Sequence, residues 1–285
     1  MARKLAQAGT DYTVSGCIVL HNNRATIENT LRSLREWTRG VLFDLFLVDN
    51  DSKDGTPALA AAVWPEAVLD KTGKNLGFGA GHNRVLGKLK SKYHAIINPD
   101  VVLDQDAIAA MCAYMDAHPE VVLLSPRIVF PGTGADQILG KRNPTLRYLV
   151  ASRVRGKVCE SALREYAMLN RDLSQPFEIE NATGCFMLVR TADFEAIGGF
   201  DERYFLYFED CDLTRSLARR GKVLYYPGAV VQHVWGREGK KNLRLALVQL
   251  QSMFKYFHKW SWEMRDAGLE MRNAGCGVPN EGRGL

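Results

Sequence analysis

The chain has 285 residues, 46% hydrophobic and 24% charged, which is enough apolar material for one large domain or a domain with an appendage. Its net charge of +5 is local: residues 237–265 hold seven Lys/Arg against two Glu. No stretch approaches the roughly 20 apolar residues of a membrane span and the opening MARKLAQAGTDYT lacks an apolar leader core, so neither a secretory leader nor a transmembrane helix is expected.

From Thr13 to Leu124, short β-branched runs alternate with helical patterns, which predicts an α/β fold with a mostly parallel sheet covered by helices. VSGCIVL (14–20), LFDLFLV (42–48) and YHAII (93–97) read as strands. ATIENTLRSLREW (25–37), TPALAAAV (56–63), GHNRVLGKLK (81–90) and DQDAIAAMCAYMDA (104–117) read as helices. Residues 131–181 lose the alternation and read as an insertion containing a basic, partly amphipathic helix, LRYLVASRVRGKV (146–158). Order resumes with the strand CFMLVR (185–190) and a short helix ended by Gly198 and Gly199. The chain closes with YFLYFEDCDL (204–213), LYYPGAVVQHV (224–234), a final helix within 237–267, and residues from Gly268 that read as a frayed tail. Six cysteines (Cys17, Cys112, Cys159, Cys185, Cys211, Cys276) form no C-x-x-C pair, which favours a reducing compartment over a disulfide or zinc framework.

In open α/β sheets, ligands bind beyond the carboxyl ends of the strands. Those ends carry HNN (21–23, with Asn22), DNDSKDGT (49–56) and NPD (98–100). Asp49, just past a strand, is placed to accept the imide N–H of a pyrimidine base, with Asp51 and Ser52 near a ribose; the same text also reads as an Asp-Gly turn and helix cap. NLGFGAGHN (75–83) offers Gly77 for close backbone approach to a diphosphate and Asn75 and Asn83 as polar handles, though its spacing is neither the dinucleotide fingerprint nor a P-loop. Asp100, ending its strand, suits a hard divalent cation shared with a diphosphate, while Asn98 stands where a second carboxylate would strengthen that site. Glu209 and Asp210 sit at a helix start, behind an aromatic run that reads either as a sugar-facing wall or as core; Asp212 and Arg215 read as a structural i,i+3 pair.

VDNDSKDGT, NLGFGAGHN, NPDV, ATGCFMLVR and FEDCDL, in this order from Val14 to Gly236, resemble family 2 inverting glycosyltransferases of the GT-A fold, particularly bacterial rhamnosyltransferases of surface polysaccharide such as O-antigen. The resemblance implies a transferase domain over 1–236, with 131–181 as an inserted acceptor-side region. It implies that Asn22, Asp49, Asp51, Asn75, Gly77, Asn83, Asn98 and Asp100 bind the nucleotide sugar. It further implies that Asp100 and His233, which lies 23 residues past Asp210, hold Mg²⁺ or Mn²⁺, and that Asp210 is the catalytic base with Glu209 orienting it or the acceptor. Asn98 departs from the family's Asp-x-Asp, and His21-Asn22 stands where Tyr-Asn is common.

The implied reaction moves L-rhamnose from dTDP-rhamnose to a saccharide or lipid-linked saccharide. Other readings are a family 2 transferase using a UDP-hexose, a nucleotidyltransferase, and a non-catalytic sugar-binding module; no nucleic-acid motif accompanies the basic residues. KKNLRLALVQLQSMFKYFHKW (240–260) places Leu243, Leu247, Leu250, Phe254 and Phe257 at helical spacing among cations. That helix suits either an anionic membrane surface, making the protein cytoplasmic and peripheral at the inner face of the cell membrane, or packing on its own domain or a homo-oligomer partner.

Overall fold

The computed structural model describes residues 13–152, 157–234 and 243–274. The strands of the first half are β1 (Thr13–Leu20), β2 (Leu42–Asp49), β3 (Val68–Lys71), β4 (Tyr93–Ile97) and β5 (Val101–Val102). They are connected through helices α1 (Ile27–Trp37), α2 (Thr56–Val63) and α3 (Phe78–Asn83), and α4 (Ala107–Ala117) follows. α1 buries Ile27, Leu31 and Leu34 at i, i+4 and i+7, the apolar stripe its sequence sets out. α3 starts earlier than expected and is six residues long, with turns rather than helix over 84–88.

The second half contributes β6 (Val121–Val129), α5 (Leu146–Ala151), α6 (Lys157–Tyr166), β7 (Phe177–Glu178), β8 (Phe186–Arg190), α7 (Thr191–Ala196), α8 (Glu209–Leu217), β9 (Lys222–His233) and α9 (Leu243–Ala274). The single basic helix expected over 146–158 is therefore two: α5 ends at Ala151 and α6 begins at Lys157. α9 continues past Gly268, where a frayed tail is expected. The first residues of the chain, Trp235, Gly236 and residues 275–285 lie outside the described residues.

One nine-stranded sheet runs β3-β2-β1-β4-β8-β6-β9-β5, with β7 on β9. The predicted parallel order holds through β3, β2, β1 and β4. Beyond β4 the sheet is mixed: β8 lies antiparallel to both β4 and β6, while β9 is parallel to β6. Side chains alternate across it with the period of two that a strand imposes. Tyr93, Ala95 and Ile97 of β4 and Phe186 and Leu188 of β8 join the layer of α1, α2 and α4. Ile96, Met187 and Val189 face Phe194 of α7 and Leu213 and Leu217 of α8.

A third cluster joins Tyr204, Phe208 and Cys211 to Tyr256 and Trp260 of α9, with Leu149, Met253 and Phe257 at its edge. Of the aromatic run before Glu209, Tyr204 and Phe208 are thus core, while Phe205 is exposed and Tyr207 half-buried. The inward face of α9 packs on its own domain, and its outward face carries Leu243, Leu247, Leu250 and Phe254 exposed. The insertion is stitched to the body where Ile179 N–H donates to the Val223 carbonyl of β9 (3.0 Å), and to α9 where Tyr256 Oη donates to Asn143 Oδ1 (3.2 Å).

Candidate active site

The carboxyl ends of β1, β2 and β4 bring the predicted polar loops to one edge. Asn22 (φ 58°) and Asp51 (φ 64°) take left-handed backbone, which short polar residues tolerate best. Their loops are laced together: Asn22 N–H donates to Ser52 Oγ (3.0 Å), Lys53 N–H donates to Asn22 Oδ1 (2.8 Å), and His21 Nδ1 donates to the Asn50 carbonyl (2.8 Å). Asp49 is buried and accepts from Ser52 N–H through Oδ1 (3.1 Å), while Asp51 pairs with Lys53 (2.5 Å). Asp54 and Gly55 (φ 82°) form the turn and helix entry that the sequence also permits.

The glycine-rich loop has a second role that its composition does not show. Asn75 Oδ1 accepts from Gly77 N–H (2.9 Å) and Asn50 Nδ2 donates to the Gly77 carbonyl (2.8 Å), while buried Asn50 Oδ1 has no hydrogen-bond partner. Phe78 N–H donates to the carbonyl of Phe205 (3.0 Å), and a Cβ on Gly77 would lie 2.2 Å from that oxygen. Gly77 therefore admits the backbone of the aromatic-acid segment. The Asn83 amide is engaged away from the loops: Oδ1 accepts from Phe200 N–H (2.9 Å) and Nδ2 donates to Phe200 O (2.8 Å).

Asp100 and His233 meet, as their pairing in the resemblance requires. His233 Nε2 stands 3.4 Å from Asp100 Oδ1, an oxygen that is buried without a hydrogen bond, as is Asn98 Oδ1. Gln137 grips His233 on its other side, with Nε2 donating to the His233 carbonyl (2.6 Å) and Oε1 3.2 Å from Nδ1. With Oε1 as acceptor, Nδ1 carries the proton and Nε2 turns its lone pair toward Asp100. In that tautomer a cation between or beside the two groups satisfies both; the alternative is a proton on Nε2 donated to Asp100. The residues thus fit a divalent ion, and because no group of three or more metal-binding side chains occurs among the described residues, substrate oxygens and water would complete its shell.

Glu209 and Asp210 open α8 after two consecutive left-handed residues, Tyr207 (φ 70°) and Phe208 (φ 67°). Asp210 Oδ2 accepts from Gly184 N–H (3.1 Å) and Oδ1 from Cys211 N–H (2.8 Å). Burial raises the Asp210 carboxyl, and those N–H donors oppose the rise. Burial, then the Asp210 charge, holds Glu209 well above the usual carboxylate range, and its Oε2 is buried without a partner. Asp212 is held by Lys259 Nζ (2.7 Å), Trp260 Nε1 (2.7 Å) and Tyr204 Oη (3.4 Å), while Arg215 lies over the Trp260 ring.

The two acidic centres share a boundary. Asn98 N–H donates to the Cys185 carbonyl (2.8 Å), and the Cys185 thiol is pushed up by burial and then by the charges of Asp100 and Asp210. A cleft lined in part by Arg127, Gln137, Lys141, Asn181, Thr183 and Tyr225 includes Gln137, which holds His233, and Thr183, the neighbour in sequence of Gly184. Gln137 and Lys259 escape sequence reasoning because neither belongs to a motif, while Asn50 sits inside VDNDSKDGT but shows its role only through Gly77, 27 positions on.

Residues 15–198 match the model of the family described as glycosyl transferase family 2. An N-acetylglucosaminyl-diphospho-decaprenol L-rhamnosyltransferase of Mycobacterium tuberculosis is 31% identical over 210 residues, 66% of each chain, so this chain spans about two thirds of that relative. Rhamnosyltransferase WbbL of Escherichia coli is 24% identical over 157 residues, 53% of this chain and 57% of that one. Among solved structures, GalNAc-T7 with UDP, GalNAc and Mn²⁺ superposes with a TM-score of 0.61 at 17% identity, over 80% of this chain and 45% of that one. The mannosyltransferase PcManGT from Pyrobaculum calidifontis, with GDP-Man and Mn²⁺, gives 0.58 at 16% identity, over 87% and 65%. At these identities the structural likeness is one of fold.

Proposed function

Since the chain belongs to glycosyl transferase family 2, we propose that it is an inverting transferase moving L-rhamnose from dTDP-rhamnose to a lipid-linked saccharide in cell-surface polysaccharide synthesis. The donor and acceptor classes rest on the names of the mycobacterial and Escherichia coli relatives. The observation that carries the reaction type is Asp210, a carboxylate whose proton affinity is raised by burial while two N–H groups fix its orientation.

In this reading the acceptor hydroxyl approaches along the cleft beside the insertion, so residues 131–181 supply the acceptor side of the 1–236 transferase unit. Asp210 takes the hydroxyl proton as the oxygen bonds to the anomeric carbon. The bond from that carbon to the nucleoside diphosphate breaks on the opposite face, and its electron pair leaves with the diphosphate. Glu209 orients the acceptor or the base, and burial, then the Asp210 charge, raises its affinity for a proton. Asp49, Asp51, Asn22 and the Asn75–Gly77 loop hold the nucleotide. Asp100 and His233 would hold Mg²⁺ or Mn²⁺, which supplies positive charge against the leaving diphosphate; both solved structures named above carry Mn²⁺.

The outward face of α9 supports a peripheral seat on the inner membrane surface. Leu243 (79% exposed), Leu247, Leu250 and Phe254 (64%) follow at i, i+4, i+7 and i+11, and Lys255 flanks them. No described helix is long and apolar enough to cross a membrane. Flotation with anionic liposomes tests the seat: Leu247→Ser with Phe254→Ser should abolish co-flotation, and undiminished flotation would remove this role.

Asp210→Asn is the test of the reaction. It should fold and bind donor nucleotide as the natural protein does, yet lose transfer by about 10²–10⁴-fold; near-normal turnover would take Asp210 out of the role. Donor identity is tested by thermal shift and hydrolysis with dTDP-rhamnose, UDP-galactose, UDP-glucose and UDP-N-acetylglucosamine, where a response confined to a UDP-hexose would replace rhamnose.

A further inference from the structure

The backbone that delivers the acidic pair is held in a conformation it would not keep alone. Consecutive left-handed L-residues such as Tyr207 and Phe208 persist where their surroundings over-determine them. Here the surroundings are α9. Ser252 Oγ donates to the Leu206 carbonyl (2.8 Å) and Lys255 Nζ to the Arg203 carbonyl (2.5 Å). The Phe208 ring rests against Tyr256 and Phe257, with centroids 5.5 and 6.5 Å away.

The polar part of this contact is centred on Asp212, which is 2% exposed. Lys259 Nζ bridges Asp212 Oδ2 (2.7 Å) and Asp201 Oδ2 (2.8 Å), and Trp260 Nε1 donates to Asp212 Oδ1 (2.7 Å). Arg215 and Arg219 flank the indole at 4.4 and 4.8 Å from its centroid. A helix that served only to cover the domain could dock through Met253, Tyr256 and Phe257 alone. A buried ion pair adds little net stability over apolar packing, but its directional bonds fix register and rotation. Asp212 lies two residues past Asp210 on one rigid turn of α8, so whatever fixes Asp212 fixes where the Asp210 carboxylate stands.

We infer that Lys259 and Trp260 are positioning residues for the transfer reaction, acting through Asp212 to set the place and angle of Asp210. The inference rests on Asp210 as the base. The test uses the full chain with four variants: Asp212→Asn combined with Lys259→Met, which removes the buried pair as a neutral couple; Lys259→Arg, which keeps the charge; Trp260→Phe, which removes one N–H donor; and Asp210→Asn as reference. Nucleotide affinity by calorimetry, kcat and KM for both substrates, the pH profile of kcat and thermal unfolding are measured on each. The neutral couple and Trp260→Phe should keep donor affinity within about twofold while kcat falls ~10–100-fold, as a misplacement of ~1 Å predicts. The acidic limb of the kcat profile should move in both, and Lys259→Arg should recover much of the loss. A folded neutral couple, or a folded Trp260→Phe, with natural kcat and an unmoved profile beside an inactive Asp210→Asn would overturn the inference. Natural turnover in Asp210→Asn would instead overturn the base assignment beneath it.

Discussion

Gly77→Ala probes the contact between the glycine loop and the segment that carries the acids. Gly77 has φ 91° and ψ 178°, a region that residues with a Cβ enter at a cost of about 1–3 kcal/mol. The added Cβ would also meet Phe205 O at 2.2 Å, where real Cβ contacts essentially never fall below 3.0 Å. The Phe205 backbone must therefore retreat by roughly 1 Å, with overpacking adding about 1 kcal/mol or more. Gly73→Ala is the control, since Gly73 also has positive φ (72°) but nothing within 4 Å of the new Cβ; it should cost about 1 kcal/mol. Gly77→Ala should cost about 2–4 kcal/mol, or roughly 3–7 °C in Tm for a chain of this length. It should also slow transfer by ~10-fold or more, because Phe205 lies just upstream of Asp210. Denaturant unfolding and steady-state transfer measure both. Stabilities of the two variants within about 0.5 kcal/mol of each other, or unimpaired transfer by Gly77→Ala, would refute the reasoning.

Gln137→Leu removes the partner that orients His233, and should weaken Mn²⁺ affinity by about 10–100-fold without changing metal-free nucleotide binding; an unchanged Mn²⁺ titration would remove Gln137 from that role. Burial lowers His94 to about 3 and His82 well below 6.5, and neither nitrogen of His82 has a partner. The unfolded chain then binds protons that the folded chain refuses, so stability from these groups is complete above pH ~6.5 and declines as pH falls toward the folded values, by up to about 1.4 kcal/mol per pH unit for each histidine. Urea unfolding between pH 7 and 5 should show this decline, and His82→Phe should flatten it; equal slopes in both proteins would count against the buried neutral ring.

Much of the first half of the chain is legible because its signals are local. The strands at 14–20, 42–48 and 93–97 and the helix at 56–63 are short runs dominated by apolar residues or alanine and bounded by turn residues. β6 is harder to read, since Pro126 interrupts it; the structure absorbs that residue at a register shift against β9, where a missing N–H is tolerated. β3 is four residues of mixed polarity and is found only by pairing with β2. At the site, the ends of β1, β2 and β4 announce Asp49 and Asp100, and the aromatic-acid text announces Asp210. What stays hidden is long-range: Asn83 meets Phe200, Gln137 meets His233 and Lys259 meets Asp212 across more than forty positions. No periodicity or motif encodes such a meeting, so a polar residue there is indistinguishable in the text from a surface one.

The antiparallel seam between β4 and β8 also bears on how such enzymes can be recombined. Across it the Asn98 N–H reaches the Cys185 carbonyl, setting the NPD loop and the Thr-Gly-Cys loop one strand spacing apart, about 4.8 Å. A hybrid joined at the exposed turn of residues 131–134 would draw β4 from one parent and β8 from the other, leaving this spacing to two unmatched side-chain layers. A crossover after Arg190 keeps both strands from one parent. Among the links that it then cuts, Gly184 to Asp210 is made by a backbone donor that either parent supplies.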